Sequence, residues 1–239
     1  MDFSRPITSL IPGVQGKLLE AIACLGRSVT SGQAAAIAQV SENQASKVLR
    51  ELAALGILDR TDAGNAALYQ LSPTNVAASI VRDLCDLRYR LFEKMRELSA
   101  PMVHEEPNIW IAVFGSTARG DSTSASDIDL MVVRPDLINS PDRREVWDRL
   151  VFEFSQSIAS FAGNPVNPVE YWRSEVDSGK PFWKEVLRDS VTIAGAAPLP
   201  YISKGRHALS WADDDSTSPS AIARPLSNPT ARGLANAPS

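Results

Sequence analysis

Two short apolar segments enclose the stretch of this sequence that most constrains its fold. The first, IWIAVF at 109–114, is rich in β-forming residues, and the second, LMVV, follows at 130–133. Between them lies GSTARGDSTSASDID at 115–129, which begins with two small residues and ends with two aspartates one residue apart. The pattern predicts two neighbouring buried strands that are joined by a polar turn.

The aspartate pair at the end of this stretch is expected to act as a unit. Side chains two positions apart on a strand share a face, so Asp127 and Asp129 project together while Ile128 and Leu130 face the core. Carboxylates this close repel each other unless a cation neutralises them. Mg²⁺ (or Mn²⁺) suits the position, because it takes oxygen ligands from one or two carboxylates and from substrate phosphates. The sequence therefore predicts a metal site at the two aspartates.

The small residues at the start of the same stretch predict a phosphate-binding turn. Gly115 permits close approach of the backbone, and Ser116 can add its hydroxyl to the backbone N–H groups at the start of a helix. Arg119 has two interpretations. Its guanidinium can hold a phosphate as a fork of donors, or it can form a surface salt bridge with Asp121.

Taken together, FGSTARGDSTSASDIDLMVV resembles the signature of the DNA polymerase beta-like nucleotidyltransferase superfamily, and most closely its minimal nucleotidyltransferase group, which includes antitoxin-type members. The resemblance implies a small mixed-sheet α/β domain, a nucleoside triphosphate substrate and Mg²⁺. It also implies a third carboxylate on a later strand. In NPVNPVEYW the only acid is Glu170, which is the predicted third metal ligand and catalytic residue beside Asp127 and Asp129. Asn167 occupies a nearby position where some relatives have an acid.

The N-terminal part of the chain has a different pattern. Helical spacing begins at Val14, Thr30 or Ser31 can cap a second helix, Ser41 can cap a third, and TDAGNA suits the tip of a hairpin. This pattern resembles the winged helix-turn-helix domains of bacterial transcription regulators. The resemblance implies that the third helix enters a DNA groove. The candidate contacts are Ser41, Asn43, Gln44, Lys47 and Arg50.

The alternative for this N-terminal module is a role in protein packing or dimerisation. Residues 1–75 carry six basic and six acidic side chains, which is a poor balance for binding that depends on counterion release. The net charge of -4 likewise provides no global attraction to nucleic acid. Any contact with DNA must therefore come from a local basic patch.

The domain organisation predicted from these patterns is α/β (α+β) with a winged helix at 12–72, one long linking helix at 73–100, the nucleotidyltransferase domain at 101–197 and a disordered tail at 198–239. The linking helix either joins the two modules or pairs with another copy in a homodimer. The sequence lacks both the roughly 20-residue apolar run of a membrane helix and a signal-peptide core, so a cytoplasmic protein with no membrane partner is expected.

Cysteine and histidine add no further chemistry to these expectations. Cys24 and Cys85 lie in helix-like apolar patterns outside any metal-binding motif, and both are expected to be reduced core thiols. His104 and His207 stand alone, so neither a zinc site nor a Ser-His-Asp triad is indicated.

Two functions remain open at this stage. The first is a Mg²⁺-dependent nucleotidyltransferase that transfers a nucleoside monophosphate from a nucleoside triphosphate to an acceptor hydroxyl and is coupled to a DNA-binding winged helix. The alternative is a transcriptional regulator or antitoxin-like protein whose second domain binds a nucleotide, or a toxin or other protein partner, without turnover. The sequence leaves the acceptor and the nucleotide undetermined.

Overall fold

The computed structural model of this chain describes residues 1–136 and 141–198, which form a mixed α/β structure with two small sheets. The predicted α/β (α+β) class is confirmed. The described helices are α1 Pro6–Leu10, α2 Val14–Ala23, α3 Ser31–Ala38, α4 Glu42–Ala54, α5 Val76–Cys85, α6 Leu87–Leu98, α7 Ala100–Glu105, α8 Gly115–Arg119, α9 Pro141–Ala162 and α10 Pro181–Asp189. The described strands are β1 Val29–Thr30, β2 Leu58–Ala63, β3 Ala66–Leu71, β4 Trp110–Phe114, β5 Ile128–Arg134, β6 Val166–Trp172 and β7 Val191–Ala194.

Local capping explains where the N-terminal helices begin. The Thr30 side chain accepts a hydrogen bond from the backbone N–H of Gln33 at 3.2 Å, and Ser41 accepts one from Gln44 at 3.3 Å. In both cases the glutamine side chain also reaches back, which completes a capping box. The helices and the β2–β3 hairpin expected in this region are therefore present, and α1 precedes them.

The segment expected to be one long linking helix is instead divided, so that prediction is wrong. α5 ends and α6 begins around Asp86, whose φ of -91° and ψ of 4° interrupt the helical backbone. The two halves serve different cores. Val81 of α5 packs in the N-terminal core, whereas Leu91 and Met95 of α6 pack under the second sheet. In one straight helix the angle between these two apolar faces would be fixed by the helical repeat.

Cys24 and Cys85 form a disulfide, which corrects the expectation of two reduced thiols. Their Cα atoms lie 5.7 Å apart, within the range that a disulfide requires. The pair is brought together because α2 and α5 pack against the same core through Ile22 and Val81. Their separation of 61 positions along the chain hid this proximity from pattern reasoning.

The second sheet has the order β6-β5-β4-β7 and positions the candidate site. β4 is antiparallel to β5 and β7, and β5 is parallel to β6, so the predicted mixed sheet is confirmed. Alternate residues of β5 face opposite cores. Leu130 and Val132 pack with Trp147 of α9, whereas Met131 and Val133 pack against α10.

Apart from Pro198, the predicted tail at 198–239 lies outside the described residues, as does His207. Across 1–136 and 141–198, the helices are too short or too polar to span a bilayer.

Candidate functional site

The polar stretch between β4 and β5 forms a turn that closes over a carboxylate. β4 ends at Phe114, and the chain then turns at Gly115, whose φ of +68° lies in the region that side chains disfavour. A Cβ atom at Gly115 would collide with Oδ2 of Asp129. Phe114 and Asp129 are paired across β4 and β5, which explains the close approach. Glycine is therefore required for Asp129 to lie against the backbone of this turn.

Two acidic residues flank the first residue of β5, Ile128. Asp129 is half-buried at the start of β5, and Asp127 is exposed one residue before the strand. In the described part of the chain neither carboxylate takes part in an ion pair, and the hydroxyl of Ser116 has no hydrogen-bond partner. Of the four residues predicted at this point, Gly115 and Asp129 lie against each other, whereas the roles of Ser116 and Asp127 stay predictions.

The residue that faces Asp129 from the neighbouring strand is Asn167. The parallel pairing of β5 and β6 sets Asp129 opposite Asn167, and the amide Nδ2 of Asn167 donates to Oδ1 of Asp129 at 3.4 Å. Asn167 is exposed, so its amide also contacts solvent. The side chain beside Asp129 on the neighbouring strand is therefore a neutral amide.

Glu170 lies on the opposite face of the sheet, and the prediction that it joins the two aspartates is wrong. It pairs in register with Val132, three positions along β5 from Asp129. Because faces alternate along a strand, an odd separation sends Glu170 to the α9 side. There its Oε2 accepts from Nε1 of Trp147 at 2.8 Å and lies 3.5 Å from a guanidinium nitrogen of Arg134.

Two arginines border the turn. Arg119 pairs with Asp121 at 3.2 Å and with Glu185 of α10 at 3.4 Å, so the predicted surface salt bridge is present, whereas its phosphate role stays a prediction. Arg88 was not found by sequence reasoning. It donates to the backbone oxygens of Thr117 and Ala118, which are otherwise open at the end of α8.

Burial lowers the pKa of Arg88, and the nearby carboxylate of Asp121 offsets part of this effect. Its place on α6 carried no signal in the sequence, because charged residues alternate along that whole segment. Arg88 holds α8, and with it the Gly115 turn, against the linking segment.

The residues near the turn carry oxygen atoms of the kind that a divalent cation takes as ligands. Asp127 and Asp129 have carboxylates, and the amide of Asn167 lies beside Asp129. Within the described ranges, no group of three or more His, Cys, Asp or Glu side chains is arranged to hold a metal. Mg²⁺ nevertheless commonly uses one or two carboxylates and takes its remaining ligands from water and phosphate.

In the N-terminal module the predicted DNA contacts divide into two groups. Ser41 and Gln44 bond to each other in the capping box of α4, so their polar atoms are already engaged. Asn43, Lys47 and Arg50 are exposed on the same helix, and Nε of Arg50 donates to the backbone oxygen of Ser46 at 3.0 Å.

Comparison with known proteins bears on the second module. Residues 91–158 match the family model described as Nucleotidyltransferase domain. The matched segment contains β4, the Gly115 turn, both aspartates and most of α9, and it ends before β6. This match supports nucleotidyl transfer, in general terms, as the activity of this part of the chain. No curated protein matches the chain.

Two solved structures share limited similarity with the chain. One, described as the crystal structure of a toxin-antitoxin with AMP-PNP, is 19% identical over 42% of this chain and 73% of that chain, with a TM-score of 0.28. The other is the structure of TrmBL2, an archaeal chromatin protein described as showing a novel mode of DNA binding. It is 16% identical over 71% of this chain and 68% of that one, with a TM-score of 0.27. Neither similarity is close enough to carry an argument about function.

Proposed function

We propose that this protein binds a nucleoside triphosphate with Mg²⁺ at the Gly115 turn and transfers its nucleotidyl group to an acceptor hydroxyl. The observation that carries the proposal is the contact of the Asp129 carboxylate with the backbone of Gly115, within the segment that matches the nucleotidyltransferase family. A phosphate held by the turn is thereby placed beside a carboxylate that can bind its metal.

The reaction follows from the proposed arrangement. The acceptor oxygen attacks the α-phosphorus, an O–P bond forms, the bond to the β-phosphate oxygen breaks, and pyrophosphate leaves. The hydroxyl proton passes to water or to a carboxylate of the pair. When bound, Mg²⁺ offsets negative charge on the phosphates and leaving group. Asp127 and Asp129 hold the metal, and Ser116 orients a phosphate oxygen.

Asn167 favours a second candidate, in which the domain binds a nucleotide with little or no turnover. Its amide replaces a negative charge beside Asp129 and donates to that carboxylate, so the site has one ligand charge fewer than a three-carboxylate site. Lower charge at the site weakens metal binding and leaves fewer groups to accept the proton of the attacking hydroxyl. In this candidate the second module of the chain senses a nucleotide and acts on the N-terminal module of the same chain.

Incubation with each α-labelled nucleoside triphosphate, Mg²⁺ and cell lysate separates the two candidates. Label transferred by the wild type and lost in Asp129→Asn supports the transferase. Nucleotide binding without transfer supports the sensor, and we then expect Asn167→Asp to restore transfer. A wild type that neither binds nor transfers any nucleotide contradicts both candidates.

DNA binding by the N-terminal module is a further part of the proposal. Asn43, Lys47 and Arg50 on the exposed side of α4 support it, whereas on the hairpin Arg60 is paired with Asp62 at 2.6 Å. The expected affinity is therefore modest and strongly dependent on salt. Retention of the protein on random-sequence DNA, compared with a Lys47→Glu/Arg50→Glu variant, tests this. Equal retention of both proteins favours the packing or dimerisation role.

An antitoxin-like role, a homodimer and a cytoplasmic location also stay as proposals. The disulfide between Cys24 and Cys85 weighs against the cytoplasm, because disulfides are typical of oxidising compartments. Rapid alkylation of thiols in intact cells, followed by mass spectrometry, tests the location through the redox state of this pair. Two alkylated cysteines agree with a cytoplasmic protein.

A further inference from the structure

An aromatic cluster lies on the same face of the sheet as Asp129, one of the two candidate metal ligands. The register sets Phe114 opposite Asp129, and Tyr171 lies on the same face two alternations beyond Asn167. Phe182, at the start of α10, packs between them. Its ring centroid lies 6.1 Å from that of Phe114 and 6.1 Å from that of Tyr171.

Phe182 differs from the other aromatic side chain at the start of α10 in its exposure. Trp183 is 2% exposed and packs in the core below α10, whereas Phe182 is 40% exposed. The two rings are 5.5 Å apart at an angle of 69°, so Trp183 supports Phe182 from below without covering it. An aromatic ring held in place on three sides thus presents part of its surface to solvent.

The exposed ring borders the phosphate turn. Glu185, one helical turn after Phe182 on the same side of α10, pairs with Arg119 at the end of α8. Phe114, which contacts Phe182, is the residue immediately before Gly115. α8 and α10 are therefore neighbours, and Phe182 lies on the side of α10 that is directed toward the turn.

We infer that Phe182, supported by Phe114 and Tyr171, is the surface on which the base of the bound nucleotide stacks. This inference rests on the proposed function, because the turn and the aspartates would hold the phosphates while Phe182 takes the other end of the same ligand. Every nucleobase has a π-face, so stacking provides affinity without selecting one base. An aromatic group of the acceptor is the competing occupant.

Equilibrium binding to the purified full-length protein with Mg²⁺ tests the inference. The ligands are the four nucleoside triphosphates and inorganic tripolyphosphate, which has the phosphates without a base. The variants are Phe182→Leu, which keeps an apolar side chain of similar length, and Phe182→Trp, which keeps a ring. Phe161→Leu is the matched control, because Phe161 is an exposed phenylalanine, 54% exposed, on α9.

Stacking on an aromatic side chain contributes about 1–3 kcal/mol per base, so Phe182→Leu is expected to weaken nucleotide binding about 5- to 150-fold. Tripolyphosphate binding should stay unchanged, Phe182→Trp should bind nucleotides like the wild type, and Phe161→Leu should have no effect. Thermal unfolding of each variant checks that the fold is retained.

The outcomes distinguish this inference from the proposed function. If the wild type and Phe182→Leu bind nucleotides equally, the inference that the base stacks on Phe182 is wrong. The same holds if Phe182→Leu weakens the binding of tripolyphosphate as much as the binding of nucleotides. In both cases the proposed phosphate site is not contradicted. If Phe182→Leu impairs only acceptor modification, the ring serves the acceptor, and the inference is again wrong. If the wild type binds neither class of ligand, the proposed function fails and the inference fails with it.

Discussion

Asp129 and Glu170 are both acidic residues of adjacent parallel strands, yet their surroundings differ in almost every respect. Asp129 lies at the glycine turn on the α10 face, with an amide beside it and no ion pair in the described residues. Glu170 lies on the α9 face, where Trp147 donates to it and Arg134 provides charge. A carboxylate without a cation can bind one, whereas a carboxylate already supplied with partners stabilises the fold. The expected roles are therefore functional for Asp129 and structural for Glu170.

The surroundings of Arg134 strengthen this assignment of Glu170. The Arg134 side chain is 9% exposed and its guanidinium lies 4.4 Å from the ring centroid of Trp172 and 5.4 Å from that of Trp147. Its Nε and Nη1 atoms have no hydrogen-bond partner. Glu170 is the acid that pairs with this buried cation, and an unpaired buried charge is costly.

The largest expected effect is that of Asp129→Asn on nucleotidyl transfer. Replacement of groups that merely support a metal ligand costs about 10–100-fold, so loss of the ligand charge itself should lower the transfer rate by at least about 100-fold. Stability should be retained, because the substitution removes one of two neighbouring negative charges. Label transfer and thermal unfolding measure the two quantities. If Asp129→Asn still transfers the label, the assignment of a functional role to Asp129 and a structural role to Glu170 is contradicted.

Glu170→Gln should give the reverse pattern. Glutamine can still accept from Trp147, but Arg134 loses its anionic partner, so the free energy of unfolding should fall by about 1–3 kcal/mol. Transfer by the folded fraction should stay within about threefold of the wild type, since no atom of the proposed site changes. Urea unfolding monitored by circular dichroism, with transfer assayed well below the transition, tests both parts. If a stably folded Glu170→Gln variant no longer transfers the label, Glu170 has a role in catalysis and its structural assignment is wrong.

Gly115→Ala tests the contact between the turn and Asp129. A Cβ atom would strain the backbone at φ +68° and also displace the Asp129 carboxylate, so transfer should fall about tenfold or more, a loss of about 1.4 kcal/mol in transition-state stabilisation. Gly64→Ala is the matched control, because Gly64 has a φ of +60° and nothing within 4 Å of an added Cβ. Both variants should lose a similar strain energy, of about 1 kcal/mol. Equal transfer by both would show that the collision has no functional effect.

Arg119→Ala should have only a small effect on stability, and it separates the two interpretations of this residue. Its ion pairs with Asp121 and Glu185 lie at the surface, so their loss should change the free energy of unfolding by less than about 1 kcal/mol. Transfer is expected to fall severalfold if the guanidinium also holds phosphate, and the Michaelis constant for the nucleotide measures this. An unchanged Michaelis constant leaves Arg119 as a surface ion pair only.

The prediction of the site succeeded where local geometry is sufficient. The strands β4 and β5 and the turn at Gly115 follow from residue type and from a repeat of two, whereas the shared direction of Asp127 and Asp129 stays a prediction because β5 begins at Ile128. The third acid was assigned wrongly because its face depends on the register of β6 against β5. A shift of one residue in register exchanges the two faces of a strand.

The same distinction applies outside the site. The capped starts of α3 and α4 were predictable, because a capping residue and its partner are three positions apart in the chain. The break at Asp86 and the disulfide were not, since both depend on how α5 packs on a core built from distant segments. The aromatic surface at Phe182 likewise arises from three separate elements.

The sequence by itself therefore determined the glycine turn, the strands on either side of it and the place of Asp129 at the start of the second strand. These features arise from covalent spacing and backbone preferences within about twenty residues. Only the tertiary structure decided that Asn167, and not Glu170, faces Asp129, and that Glu170 instead pairs with Arg134. Strand register is set by packing on both faces of the sheet, and that packing involves residues from the whole module.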